Sequence, residues 1–249
     1  MNTENSKLFD EVEFNNWANR SGLIENEFYL ISKYILNLSK EIKILEVGTG
    51  NGRIAFEIAK YNYPNINAID LAQKLLDVAS LKAVKEFPTL KFENMNAANL
   101  QYESKSFECV IALQQIISII DNPNDRLMAI KECYRVLKKD GLFISSFLNI
   151  NGRWYNPIVG YFSLILKKIK GESEFNSYKY LPWLKLGKKI NLSYLYQKQS
   201  HVYCYEFDEI KSLVKEVGFN VIEIKTAEMI QKKSEKYLSG GMIYLVAKK

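Results

Sequence analysis

Glu46, Gly48, Gly50 and Gly52 stand at every second position of Lys43-Ile-Leu-Glu-Val-Gly-Thr-Gly-Asn-Gly-Arg53, where an apolar run gives way to a helical pattern. Glycine has no side chain and tolerates positive φ, so such a turn lets backbone amides touch a ligand at the carboxyl end of a strand. A dinucleotide fingerprint would need glycine at position 53, which is arginine, and a phosphate loop would need a lysine followed by serine or threonine. A carboxylate aimed into the turn from Glu46 suits a ligand carrying a cationic amine more than a pyrophosphate. Asp70 follows 24 residues later, at the end of the next β-rich run. A carboxylate there can accept both hydroxyls of a ribose, or it can cap the helix that begins near Ala72. Leu71, next in the chain, offers an apolar cover for a purine.

These groups need a scaffold, and the patterning supplies one. Short β-rich runs at Ile42 to Val47, Ile66 to Asp70, Leu90 to Glu93, Phe107 to Leu113 and Gly141 to Phe147 alternate with helical patterns at Arg53 to Tyr61, Ala72 to Glu86 and Asn124 to Leu137. This is the rhythm of βαβ units and a parallel sheet. Glu25 to Leu38 predicts a helix before the first strand. Beyond residue 200 a helix at Phe207 to Val217 precedes two strands, Phe219 to Ile224 and Met242 to Ala247. The chain shows no internal repeat and no low-complexity linker.

The set of residues resembles the class I S-adenosylmethionine-dependent methyltransferases, in particular their small-molecule methyltransferase-domain group. The similarity covers residues 25 to 147, and the tail from Glu206 only in the order of its elements. It implies an α/β, Rossmann-like fold: a seven-stranded mixed sheet in the order 3-2-1-4-5-7-6, helices on both faces, the last strand antiparallel, and an insertion after the fifth strand. Residues 1–150 would be the cofactor-binding part with an N-terminal cap helix, 151–200 a basic aromatic insertion or lid, and 201–249 the helix and strand pair that complete the same domain. It further implies S-adenosyl-L-methionine as cofactor, S-adenosyl-L-homocysteine as product and no metal. Glu46, Gly48, Thr49 and Gly50 would hold the methionine end, Asp70 the ribose, Leu71 one adenine face, and Asn96 and Ala97 the adenine edge. The backbone near Leu113 and Gln114 would reach the methionyl amine. The family usually has aspartate where Asn96 stands, and an amide oxygen still accepts from an exocyclic amine. Arg53 either reaches the cofactor carboxylate or is an exposed arginine.

Methyl transfer from a sulfonium is an in-line displacement, so orientation and exclusion of water carry most of the catalysis, and a base is needed only for a hydroxyl or protonated amine acceptor. His201, the single histidine, is the candidate base; its place in the alternating run His201-Val-Tyr-Cys-Tyr-Glu-Phe equally fits a structural or substrate-lining strand residue. Trp17, Gln115, Arg153, Trp154 and Tyr155 are the expected acceptor-lining residues. Asp121 is expected to cap the following helix or close a loop.

Of 249 residues, 47% are hydrophobic and 25% charged, which excludes disordered, collagenous and disulfide-framed classes. Cys109, Cys133 and Cys204 lack CxxC spacing and fit reduced core positions. No apolar run approaches the roughly 18 residues of a membrane span, and Met1 to Phe14 has no signal pattern, so a cytoplasmic location is the expectation. The net charge of +6 is confined to one stretch: residues 151 to 200 hold nine cations against Glu172 and Glu174, with ten of the 32 aromatics. A lid over a small aromatic, acidic or lipid-like acceptor is the leading reading of this stretch. A nucleic-acid surface is the alternative. Against it, Leu113-Gln-Gln-Ile116 replaces the Asn/Asp-Pro-Pro-aromatic signature of base methylation. A third reading is peripheral membrane contact through Pro157 to Lys170, where Ile158, Phe162, Ile165 and Ile169 share a helical face. Oligomeric state is not readable from these features.

Overall fold

The computed structural model describes residues 14–153, 155–171, 176–182, 201–232 and 241–249. In chain order its elements are α1 (Phe14–Ala18), α2 (Glu25–Tyr34), β1 (Ile44–Val47), α3 (Arg53–Ala59), β2 (Ile66–Asp70), α4 (Gln73–Glu86), β3 (Lys91–Asn94), β4 (Phe107–Ala112), α5 (Ile116–Ile119), α6 (Pro123–Val136) and β5 (Leu137–Leu148). There follow α7 (Asn156–Lys170), β6 (Tyr180–Pro182), β7 (His201–Tyr203), α8 (Phe207–Val217), β8 (Asn220–Thr226), α9 (Ala227–Ile230) and β9 (Met242–Lys248).

Seven strands form one sheet in the order β3-β2-β1-β4-β5-β9-β8. The first five pair in parallel, and β9 runs antiparallel to both β5 and β8. Counted within this sheet, the arrangement is the expected 3-2-1-4-5-7-6. The pleat sends alternate residues to opposite faces. Leu45 and Val47 of β1, Val110 of β4 and Phe143 of β5 join one core, closed by Ile130 and Cys133 of α6 and Ile210 and Val214 of α8. Ile44, Cys109, Ile111 and Ile144 point the other way, into a second core closed by Leu30 and Ile31 of α2, Phe56 of α3 and Ala79 of α4. Each helix thus presents the apolar stripe its sequence period encodes. All three cysteines are free and buried, and burial pushes their thiols up to about 12.

Two local expectations are corrected. The helix ending at Val136 passes straight into β5, which starts at Leu137 and not at Gly141; Leu137 pairs with Phe107, and an irregularity at 138–141 restores register at Leu142 opposite Cys109. Asp140 takes a φ of 67° in that bulge. The cap of α6 is Asn122, whose Oδ1 accepts from the amides of Asn124 (2.8 Å) and Asp125 (3.4 Å), and not Asp121.

β6 and β7 form a separate antiparallel pair outside the main sheet, with Pro182 opposite His201. Leu181 and Val202 of this pair, with Cys204, pack on Ile119 and Ile150 as a small third core. The chain leaves and returns at neighbouring points: Asn149 and Tyr205 form a parallel bridge, with Tyr205 N donating to Leu148 O at 2.7 Å and Ile150 N to Tyr205 O at 3.0 Å. No helix among the described residues is long and apolar enough to cross a membrane.

Candidate active site

The carboxyl ends of β1, β2 and β4 open into a cleft of about 1110 Å³, its mouth included. The first wall is the glycine turn. Gly48 N and Thr49 N both donate to Ile69 O, binding the turn to β2 at 2.8 and 3.0 Å. Gly48 has φ +73°, and a Cβ there would collide with Ile116 at 2.3 Å; Gly50, at φ +57°, would meet only Leu75, at 3.8 Å. Position 48 is thus glycine because α5 presses on it, whereas at Gly50 the missing side chain leaves room for a ligand against the backbone.

Glu46 is buried at the root of this turn, and its Oε2 accepts from Thr49 Oγ1 (2.8 Å) and from Ala55 N (3.0 Å). Burial lifts its carboxyl to about 8, although the Thr49 hydroxyl, the Arg53 charge and the Ala55 amide pull the other way. Oε2 is committed to the protein, so Oε1 is the oxygen left for a proton or a cationic group. Asp70 is similarly shared: Oδ2 accepts from Gly50 N at 2.7 Å and Oδ1 from Ala72 N at 2.9 Å, so it fixes the glycine turn and the start of α4 together.

Arg53 lines the cleft without being exposed. Its guanidinium grips Glu27 of α2 with two bonds of 2.6 and 2.7 Å and donates to Gly22 O at 2.6 Å. Burial works against this charge, and Glu27 more than offsets it, so Arg53 is held ionised. Glu27 also accepts from Gln114 Nε2 and from Ile24 N. Asn51 Nδ2 donates to the carbonyls of Ala18 (3.0 Å) and Arg20 (2.8 Å). The segment after α1 is therefore stitched to the glycine turn at several points, which brings Trp17, stacked under the Arg20 guanidinium at 3.9 Å, to the rim of the cleft.

At the end of β4, Gln114 and Gln115 both adopt left-handed φ, 59° and 53°. Two consecutive non-glycine residues in this region are costly and persist only when held. Here the Gln114 side chain is fixed on Glu27, and Gln115 N donates to Ser146 Oγ at 3.0 Å. The reversal drives Ile116 onto Gly48 and sets Ile119 and Ile120 along the far wall. That corner is secured by Arg126, which donates to Ile120 O (2.8 Å), Asp121 O (2.9 Å) and the Tyr180 hydroxyl (2.7 Å) and lies over the Tyr203 ring at 4.3 Å. Arg126 thereby couples the β6–β7 pair to the cleft.

Of the residues singled out by sequence, Trp17, Glu46, Gly48, Thr49, Gly50, Arg53, Asp70, Leu71, Asn96, Ala97 and Gln114 all line the cleft. Asn96 Oδ1 accepts from Ala98 N at 2.9 Å, closing its own turn. Leu113 instead points into the second core, and Gln115 is an α5 cap. Arg153 and Tyr155, joined by a 2.8 Å bond, stand beyond β5 and do not line the cleft. Trp154 lies outside the described residues, as does the side chain of His201. Residues that sequence reading missed are Asn51, Leu75, Met95, Ile116, Ile119, Ile120 and Asp125 in the lining, and Glu27 behind it. The fourth-strand turn could have pointed to Ile116, Ile119 and Ile120; nothing in the spacing marks Glu27. The resulting chemistry is one-sided. Asp70 and Asp125 face the cleft, with Glu46, whose burial favours its protonated form, at the root, and the one lining cation among the described residues is neutralised by Glu27, so the cleft offers an anionic ligand no uncompensated positive charge.

Comparison with known proteins agrees with this geometry. The family described as "Methyltransferase domain" matches residues 44–141. The ubiquinone/menaquinone biosynthesis C-methyltransferase UbiE of Rickettsia felis is 29% identical over 225 residues, covering 85% of this chain and 77% of that protein. In fold, the chain is similar to an S-adenosylmethionine-dependent methyltransferase from Methanosarcina mazei (TM-score 0.64, 18% identity, 88% of this chain and 96% of that one). It is similar also to the [4+2]-cyclase SpnF (TM-score 0.65, 14% identity, 98% and 95%). Residues 44–141 are thus a methyltransferase domain, carried on the fold of S-adenosylmethionine-dependent methyltransferases, and the chain is an enzyme that transfers a methyl group.

Proposed function

We propose that the cleft holds S-adenosylmethionine along the glycine turn and delivers its methyl group to a small apolar or aromatic acceptor at the Ile116–Ile120 end. The observation that carries this reading is the make-up of the cleft: carboxylates and open glycine backbone at the ends of β1 and β2, and the apolar Ile116, Ile119 and Ile120 past the end of β4. Glu46 Oε1 and the backbone of Gly48 to Gly50 would receive the methionine end, with Gln114 beside it. Asp70 would take the ribose, Leu71 would cover the adenine, and Asn96 and Ala97 would meet its edge. When bound, the cofactor supplies an electrophilic methyl on a sulfonium. The protein's part is to aim the acceptor at it and keep water out, which is worth on the order of 7 to 11 kcal/mol in well-oriented reactions. The Rickettsia relative is named for quinone C-methylation, which supports an aromatic, lipid-like acceptor. No base is assigned, since carbon nucleophiles of this kind differ from hydroxyls in what they require.

Isothermal titration with S-adenosylmethionine and S-adenosylhomocysteine tests the cofactor half. Micromolar binding by the wild type, weakened at least about tenfold in Asp70→Ala, is the expected result; equal binding by the variant would remove Asp70 from the site. Turnover assays with quinol-type, phenolic and RNA acceptors then test the acceptor half. Activity on RNA alone would overturn the small-molecule reading.

A further inference from the structure

α7 is built inside out. At 3.6 residues per turn, Ile158, Tyr161, Phe162, Ile165 and Ile169 fall within a stripe about 100° wide. That stripe faces solvent: Ile158 is 60% exposed, Ile165 57% and Ile169 76%. The opposite face, against β6 and the turn at Tyr178, carries Gly160, Ser163 and Lys167, the last two buried, with Val159 at its edge packed on the third core. Lys167 Nζ donates to Tyr180 O at 3.4 Å, and Tyr161 stacks its edge of the stripe on Tyr178 at 4.6 Å. A helix that turns its polar face inward and its apolar face outward is arranged for an apolar exterior.

We propose that this stripe docks α7 in the plane of an anionic lipid bilayer. The helix is about 22 Å long, which suits lying within the headgroup boundary and not spanning it. Charge selects the occupant. Lys168 flanks the stripe and is exposed, while Lys167 is buried on the far face and Lys179 is paired with Glu206 and Glu209; by sequence, residues 151–200 carry nine cations against two carboxylates. A second copy docked on the same face would set like charge against like, whereas anionic headgroups neutralise it while the acyl layer accepts the isoleucines and Phe162. The contact is separable from the cofactor and acceptor assignments, because it requires neither ligand.

Co-sedimentation with vesicles tests it. Wild-type protein should partition at least about tenfold more strongly onto vesicles of equal parts phosphatidylcholine and phosphatidylglycerol than onto phosphatidylcholine alone, and less so as salt is raised. The double substitution Phe162→Ser with Ile165→Ser should abolish this preference with an unchanged melting temperature and unchanged S-adenosylmethionine titration. Wild-type protein that ignores both vesicles, or a variant that partitions like wild type, overturns the proposal. So does a concentration-dependent dimer in sedimentation velocity that the same substitutions dissolve, if vesicle binding is absent; the stripe would then be a self-association face.

Discussion

In α8 the apolar side lies on the sheet: Ile210 and Val214 are fully buried, while Lys211 points outward. In α7, a helix of similar kind, Ser163 and Lys167 are inside and Ile169 is outside. The orientation of α8 follows from burial of apolar area, the largest favourable contribution to folding. That of α7 cannot, because turning it around would bury more. It is set by specific contacts: the backbone at Gly160, where a Cβ would come within 1.9 Å of Tyr178 O, the Lys167 bond to Tyr180 and the tyrosine stack. Polar groups do not divide the same way: the buried Glu27 and Arg53 satisfy each other, but Ser163 Oγ in α7 and Asn26 Oδ1 in α2 both have no hydrogen-bond partner among the described residues. One part of the molecule is organised around its own core, and the other is held in a pose useful to something outside it.

This contrast can be sharpened or broken by substitution. The largest effect is expected at Glu27→Ala, which strands the buried Arg53 charge: a loss of about 3–5 kcal/mol in urea denaturation, with weakened cofactor titration. A loss below about 1 kcal/mol would show that the cleft does not depend on this pair. Ile210→Ala in α8 should cost about 2–5 kcal/mol, while Ile165→Ala in α7 should stay within about 0.5 kcal/mol. Equal losses would remove the distinction between the helices. A pH effect follows for Glu46. Its folded-state pKa of about 8 lies above the unfolded value, so the folded protein holds a proton that the unfolded chain has released, and stability falls as pH rises toward 8. Between about pH 6.5 and 7.5 the wild type should lose about 1 kcal/mol relative to Glu46→Gln, measured by denaturation at each pH. Parallel curves would mean that Glu46 is ionised throughout. Smallest is Ser163→Ala, expected to be neutral or stabilising by less than about 1 kcal/mol, since it removes a buried hydroxyl without a partner among the described residues.

The strands and helices of the main sheet were legible because their apolar periods are local and unambiguous, and the glycine turn with Glu46 and Asp70 because its residue types are rare in that combination. The start of β5 was not, because Leu137 also continues the helical period of Ile130 and Cys133, and only pairing with Phe107 decides its state. Glu27 and Asn51 escaped notice for a related reason. Their partners lie far along the chain, and a buried ion pair leaves no periodic trace. For α7, the stripe was visible in the sequence but its direction was not: a period shows that a helix has an apolar face, and says nothing of which side meets the protein.

The bridge between Asn149 and Tyr205 has an engineering consequence. Because the chain departs from the end of β5 and rejoins it at a hydrogen-bonded neighbour, a different segment strung between those two points need not alter the path of the sheet. Such a replacement would still have to supply the partners that Tyr180, Leu181 and Val202 now give to Arg126 and Ile119. On those terms a laboratory graft between these same two residues has a natural pair of suture points.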